Sequence, residues 1–123
     1  MPIETDISTT DVTAYMLPIE TRLPLKFGAE ILTRISCARI RIGVCRADGE
    51  TAYGWGETPM SVQWVWPSAI SYEERESTMI TFIRRLAAAW GSFKESGHSM
   101  EIGHAFQKQV LPKLLATVNE ERS

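Results

Sequence analysis

The chain has 123 residues, which favours a single domain large enough to hold a hydrophobic core. With 44% hydrophobic and 23% charged residues it has the composition of a soluble globular protein, and its net charge of −2 gives no electrostatic footprint for nucleic acid. No apolar run approaches the ~18 residues of a membrane span. The polar, acidic N-terminus is unlike a signal or transit peptide. We therefore expect a cytoplasmic protein that binds neither nucleic acid nor membrane.

Strands are predicted for the first half of the chain. The β-friendly run Val12–Leu17 leads into Pro18, which predicts an edge strand or a strand end. The stretch 23–30 contains a proline and a glycine and is predicted to be a loop. From 32 to 46 the sequence alternates, which indicates a strand with one buried face. Its predicted buried residues are Ala38, Ile40, Ile42 and Val44, and its opposite face carries Arg39, Arg41 and Gly43.

The next element is a predicted hairpin. Asp48 and Gly49 form a strong turn signal, and 51–57 is the predicted returning strand, so that the three strands make an antiparallel meander. Gly54 and Gly56 flank a tryptophan in this strand. Glycine inside a strand usually marks a bulge or a close approach by other atoms, so we expect these two to let the hairpin pack closely.

The two cysteines lie on one predicted strand. Cys37 and Cys45 are eight residues apart, or about 26 Å at ~3.3 Å per residue, which is beyond the reach of a disulfide. We expect two reduced thiols, as is usual in the cytosol, and their spacing does not suggest zinc.

Helices are predicted for the second half. Ser71 and Glu74 form a capping box, and the helix that follows is predicted to stop at Gly91. A polar linker, KESGHS, precedes a second helix starting near Ser99, and a third is predicted from about Pro112 to Glu120. The residues predicted to face the core are Tyr72, Met79, Phe82, Ile83, Leu86, Trp90, Ile102, Phe106, Val110, Leu114, Leu115 and Val118. The predicted fold class is α+β, a three-stranded antiparallel meander (about 11–57) followed by a helical bundle (about 71–120).

No self-contained catalytic motif is present. The sequence has no nucleophile elbow, no glycine-rich phosphate loop and no H-E-x-x-H, and His98 and His104 are not placed on one helix face. We predict no catalytic and no metal-binding residue on this chain. Glu57 is the most interesting acid because it follows Gly56 at a strand end, but the interpretation we favour is a carboxylate that accepts backbone N–H bonds at a loop entrance.

The segment PMSVQWVW is unusually apolar for a loop. Trp64 and Trp66 are bracketed by Pro59 and Pro67, which argues against a regular element. A loop of this composition either covers a ligand or docks on another protein surface.

The order of these features resembles the N-terminal capping domain of the enolase superfamily, in its mandelate racemase and muconate lactonizing enzyme branch. The resemblance covers about 11–118 and depends on the LPLKFG stretch after the first strand and on the hairpin ADGETAYGWGE. It implies an enolase N-terminal domain-like fold, with residues 1–123 forming a single capping domain.

The resemblance also implies a division of labour. In that family the cap supplies two loops that close over a (β/α)₇β barrel. The barrel supplies three carboxylates for Mg²⁺ and the Lys or His groups that remove a proton next to a carboxylate, and the metal stabilises the enolate. Here the first capping loop would be Leu23–Leu32 and the second Glu57–Trp66. The residues that would face the substrate are Lys26, Phe27, Glu57, Met60, Trp64 and Trp66.

The chain ends at Ser123, before the point where the family enters its barrel. We therefore expect this chain alone to be inactive and to hold no cofactor, with Mg²⁺ implied only for a full-length lyase or isomerase. The expected partners are a C-terminal barrel domain, further copies of the chain, and a small carboxylate or acid-sugar substrate in the full enzyme. Two alternatives remain open, namely a stand-alone protein-interaction module that uses the Trp-rich loop and an unrelated small-ligand α+β fold.

Overall fold

A computed structural model describes residues 3–123, and it is an α+β structure in which a sheet precedes the main helices. The sheet is antiparallel and has four strands in the order β3-β2-β1-β4, where the sequence predicted three. The strands are β1 (Ile7–Phe27), β2 (Glu30–Arg46), β3 (Thr51–Pro59) and β4 (Ser96–Gly97). The helices are α1 (Val62–Val65), α2 (Tyr72–Ser92), α3 (Ser99–Gln109) and α4 (Leu111–Arg122).

The β1–β2 hairpin is much longer than predicted. Its pairs run from Ile7 with Arg46 to Phe27 with Glu30, with register shifts between Thr9 and Asp11 and between Glu20 and Leu25. The loop predicted at 23–30 is wrong, because 25–27 pair with 30–32. Only a tight turn remains, with Gly28 in the left-handed region at φ 58°. Strand β1 contains Pro18 and Pro24. Proline is tolerated in this strand because β4 pairs only with its first two residues, so the rest of that edge of β1 needs no backbone donors.

The fourth strand lies in the segment predicted as a polar linker. Ser96 and Gly97 pair with Ser8 and Ile7 at the start of β1. Nearby, the Lys94 ammonium donates to the Thr9 carbonyl oxygen at 3.2 Å. A two-residue strand has no hydrophobic periodicity, so the sequence pattern could not indicate it.

The β2–β3 hairpin forms at the predicted turn, where Gly49 has φ 92°. The expectation that Gly54 and Gly56 allow close packing is wrong, because a Cβ at either position would meet nothing within 4 Å. The close approach occurs at Gly43 instead. A Cβ there would lie closest to Asp11 Oδ1, and it would also be 2.7 Å from Thr10 Oγ1 and 3.0 Å from a Tyr53 ring carbon.

Helices α2, α3 and α4 follow the sequence signals closely, whereas α1 lies in the segment that was expected to be a loop. Ser71 Oγ accepts a hydrogen bond from the Glu74 amide at 3.2 Å, which confirms the predicted start of α2. His98 caps α3 through its Nδ1, which accepts from the Met100 amide at 3.1 Å. The prediction that Leu115 is buried is wrong, since 47% of its surface is exposed on α4.

The core lies between strands β1 and β2 of the sheet and the helices. Helix α2 packs across β1, and Trp90 meets Phe106 of α3 edge-on at a centroid distance of 4.2 Å. Both cysteines are free, as expected from their separation on β2. The buried apolar residues are Leu32, Cys37, Ala38, Met60, Val62, Ala87, Ile102, Phe106 and Val118.

Candidate functional site

The first expected capping loop is the closed end of the β1–β2 hairpin. Lys26 is opposite Ile31 in the register and is exposed to solvent. Phe27 pairs with Glu30 through the backbone, and its side chain lies outside the described part of the structure. The strands bring their own apolar side chains to this end, with Leu25 51% and Ile31 66% exposed. It is therefore a paired and ordered hairpin with an apolar surface.

The second expected loop follows β3 and is anchored at its start. The Met60 amide donates to the Ser36 carbonyl oxygen at 2.8 Å, and the Met60 side chain is only 2% exposed. Val62 is fully buried beside it. The short helix α1 then turns Trp64 outward, where it is 78% exposed. Met60 therefore anchors the segment, and Trp64 is the residue left available for contact.

Arg75 ties the two segments together. Its guanidinium donates through Nη2 to Glu30 Oε1 at 2.5 Å and through Nη1 to the Trp66 carbonyl oxygen at 2.9 Å. A longer bond of 3.5 Å joins Nε to the Ser71 carbonyl oxygen. The side chain is 2% exposed, whereas Glu30 is partly exposed. A buried guanidinium needs such partners because its charge has lost its hydration, so Arg75 fixes the hairpin end against the segment after β3.

Trp66 points toward the last helix. The Arg122 guanidinium lies 4.9 Å from the centre of the Trp66 ring and also donates to Thr78 Oγ1 at 2.8 Å. This contact is a cation–π interaction between α4 and the segment after β3. Trp66 therefore secures the segment to the helices, in contrast to the exposed Trp64.

A cavity of about 770 Å³ opens between the hairpin, α1 and the start of α2. Burial, with smaller contributions from the nearby Glu76 and Glu30, raises the pKa of Tyr72 to about 12. Within the described residues its buried hydroxyl makes no hydrogen bond that meets ordinary geometry. The cavity lining combines apolar residues of the two strands with polar groups in which carboxylates outnumber cations, since Glu20, Glu30, Glu73 and Glu76 line it together with one guanidinium, that of Arg34. This concentration of carboxylates opposes the binding of an anionic substrate to the chain alone.

Glu57 lies apart from these segments. It is on the face of the sheet that points away from the helices, where Arg39 donates to its Oε2 through Nε at 3.0 Å and Nη2 at 2.9 Å. This cross-strand ion pair occupies the carboxylate. A two-residue turn at Asp48-Gly49 would place Arg39 opposite Thr58. In the structure Ala47 is also part of the turn, so the register differs by one residue and Arg39 lies opposite Glu57.

The six residues suggested by the sequence do not converge on one site. Two lie at the hairpin end, three follow β3, and Glu57 is on the other face of the sheet. The structure brings the two segments together through Arg75, which the sequence analysis missed. Arg75 and Glu30 are 45 positions apart in the sequence, and no local sequence pattern indicates such a pair.

Comparisons of the chain with protein-family models, curated proteins and solved structures found no match in any of the three. Among residues 3–123 no helix is both long and apolar enough to cross a membrane. Over the same residues, no group of three or more His, Cys, Asp and Glu side chains is arranged to hold a metal ion.

Proposed function

We propose that this chain is a capping and substrate-specificity domain of an enolase-superfamily enzyme of the mandelate racemase and muconate lactonizing enzyme branch. In this proposal it docks on a (β/α)₇β barrel and covers the barrel mouth with the hairpin end and the segment after β3. The full enzyme is a Mg²⁺-dependent lyase or isomerase that removes a proton next to a carboxylate, with an acid sugar as the substrate class. Metal and proton-transfer groups belong to the barrel.

The observation that carries the proposal is the distribution of exposed apolar side chains. Large apolar side chains on a soluble surface mark binding sites when they are grouped. On this chain many of them fall on the two segments assigned to barrel contact. They are Leu23, Leu25 and Ile31 on the hairpin end and Trp64 and Val65 on α1, each between 51% and 78% exposed.

The anchoring of these segments is a second support. A surface that closes over a substrate must hold its contact residues in place, since loose positioning weakens both binding and specificity. The buried Arg75 joins Glu30 on the hairpin to the Trp66 backbone, and Met60 fastens the start of the segment.

Reconstitution with a barrel tests the proposal. The chain is added to the (β/α)₇β barrel of an enzyme from this branch, prepared without its own cap, and Mg²⁺-dependent turnover of a panel of sugar acids is measured. We expect no turnover by the chain alone and restored turnover in the mixture. The double variant Trp64→Ser with Val65→Ser removes the exposed apolar residues of α1 and should abolish the gain.

Tyr53→Ser is the matched control because it also removes an exposed side chain, but from the sheet face that points away from the helices. It should leave reconstitution unchanged. Turnover by the chain alone, or reconstitution that survives the double variant, would contradict the proposal.

The exposure of Trp64 also favours a second candidate, a stand-alone interaction module. Such a module would bind its partner through α1 without any barrel. Sequencing the coding frame beyond the codon for Ser123 separates the two, because a cap continues into a barrel with acidic residues at its strand ends. A frame that stops, or that continues into another architecture, supports the interaction module.

A further inference from the structure

The outer edge of β3 is open and regular. Its nine residues pair with β2 in an unbroken register from Thr51 to Pro59, and all nine are exposed. Within residues 3–123 no strand pairs with the other side of β3. Natural edge strands are usually protected by lysine, by a bulge or by proline within the strand. Apart from the terminal Pro59, β3 has none of these, and its one charged side chain, Glu57, is held by Arg39.

The face of β3 that points away from the helices is aromatic. Tyr53 is 59% and Trp55 61% exposed. Neighbouring strands hold both rings in place, since Trp55 stacks on Tyr15 at a centroid distance of 6.0 Å and the Arg41 guanidinium lies 4.5 Å from the centre of the Tyr53 ring. Ordered aromatic side chains contribute large contact areas at little cost in conformational entropy.

The helix-facing side of β3 has few side chains. It carries Gly54 and Gly56, and neither glycine is required by this chain, because both have φ outside the left-handed region and a Cβ would meet nothing within 4 Å. An apolar cavity of about 390 Å³ adjoins Gly56 on this side. The backbone of β3 is thus accessible from the side as well as from its edge.

We propose that the edge of β3 pairs with the edge of β3 in a second copy of this chain, antiparallel and about a two-fold axis at Trp55. In this register all nine residues pair. Trp55 is opposite the partner's Trp55, Tyr53 is opposite the partner's Glu57, and Gly54 is opposite the partner's Gly56. No like charges are opposed. Registers centred on either glycine pair only seven residues, which selects the one centred on Trp55.

The size of the contact is suited to a dimer. At ~3.3 Å per residue, nine residues give an edge about 30 Å long. Two such edges with four aromatic side chains reach the lower end of specific interfaces, on the order of 1,000 Å². The result is one continuous eight-stranded sheet with the helices of both copies on the same side. The proposal is independent of the proposed function, since it uses neither the hairpin end nor α1.

Sedimentation velocity over a range of micromolar concentrations tests the dimer. Wild-type chain should form a reversible dimer. Trp55→Lys places two positive charges opposite each other and should raise the dissociation constant of the dimer by at least about tenfold. Trp55→Phe should retain the dimer. Trp64→Lys, at an even more exposed tryptophan on α1, is the matched control and should leave the dissociation constant of the dimer unchanged. Circular dichroism confirms that each variant is folded.

Cross-linking tests the register independently. Residues opposite each other across antiparallel strands have Cβ atoms about 5 Å apart. Trp55→Cys should therefore form a disulfide-linked dimer on mild oxidation, and so should the double variant Tyr53→Cys with Glu57→Cys. Tyr53→Cys alone and wild-type chain, with its two native thiols, should not. A monomer at every concentration, a dimer that is sensitive to Trp64→Lys, or pairing only with an added protein or peptide would overturn the proposal.

Discussion

Arg75 is the residue on which the arrangement of the proposed contact surface depends. It is one of the largest fully buried side chains, and its three hydrogen bonds reach a side chain of the hairpin and two backbone carbonyls. Removing one member of a buried charged network leaves polar groups without partners, which costs more than the net value of the interaction. The same contact therefore determines both stability and the position of the two segments.

Replacing Arg75 with methionine should lower the free energy of unfolding by about 3 kcal/mol. The loss arises because the Trp66 carbonyl and the Glu30 carboxylate lose their donor, and because methionine only partly fills the space that the guanidinium occupied. Arg85→Met is the matched control on the same helix, since Arg85 makes a surface ion pair with Glu121 and should cost no more than about 1 kcal/mol. Urea denaturation measures both, and equal losses would contradict the assigned role of Arg75.

The glycines provide a second test at the residue scale. Gly54→Ala should be neutral or should stabilise the monomer by about 0.5 kcal/mol, because it restricts the unfolded chain and its Cβ meets nothing. Gly43→Ala should destabilise by about 1 kcal/mol, because the side chains of Asp11, Thr10 and Tyr53 must move away. Thermal unfolding at low protein concentration compares the two variants. A larger loss of stability for Gly54→Ala than for Gly43→Ala would contradict the open space around Gly54.

The elements of the fold differ in how far the sequence specified them. Helices α2, α3 and α4 were predicted well because capping residues and a 3.6-residue period are local signals, as the Ser71 cap shows. Helix α1 was not predicted, since four residues without a capping side chain show neither signal. The hairpin end was predicted as a loop because Pro24 and Gly28 weaken a strand pattern, while the pairing that overrides them is set by residues in β2. Burial of Met60 was missed for a related reason, since its contacts come from distant parts of the chain. The arrangement of the candidate site was thus the least predictable feature.

The β2–β3 turn gives a prediction that depends on pH. Hydrogen bonds from the Arg46 guanidinium and the Glu50 amide lower the pKa of Asp48 from 3.8 to about 2. A carboxyl whose pKa is depressed in the folded state stabilises the fold at pH above its unfolded pKa. That stabilisation falls as the pH drops below about 4 and is lost near pH 2.

An NMR titration of the Asp48 carboxyl carbon should give a midpoint near 2, and Arg46→Gln should move the midpoint back toward 3.8. A wild-type midpoint near 3.8 would show that the turn is more open than described.

At the scale of the whole molecule, the chain presents two separate surfaces. One consists of the hairpin end and α1, which Arg75 holds together and which we assign to a barrel. The other is the edge of β3 with its aromatic face, which we assign to a second copy. The surfaces share no residue, so a full enzyme could use both at once, with each cap covering its own barrel while the sheets join.

Hydrogen exchange followed by mass spectrometry, with and without a capless barrel from this branch, tests the assignment to a capping domain most directly. We predict that the barrel slows amide exchange at the hairpin end (25–32) and around α1 (60–66) and leaves β3 (51–59) unchanged. Arg75→Met should weaken this protection in both segments together. The account would be contradicted by unchanged exchange in the presence of the barrel, or by protection confined to β3.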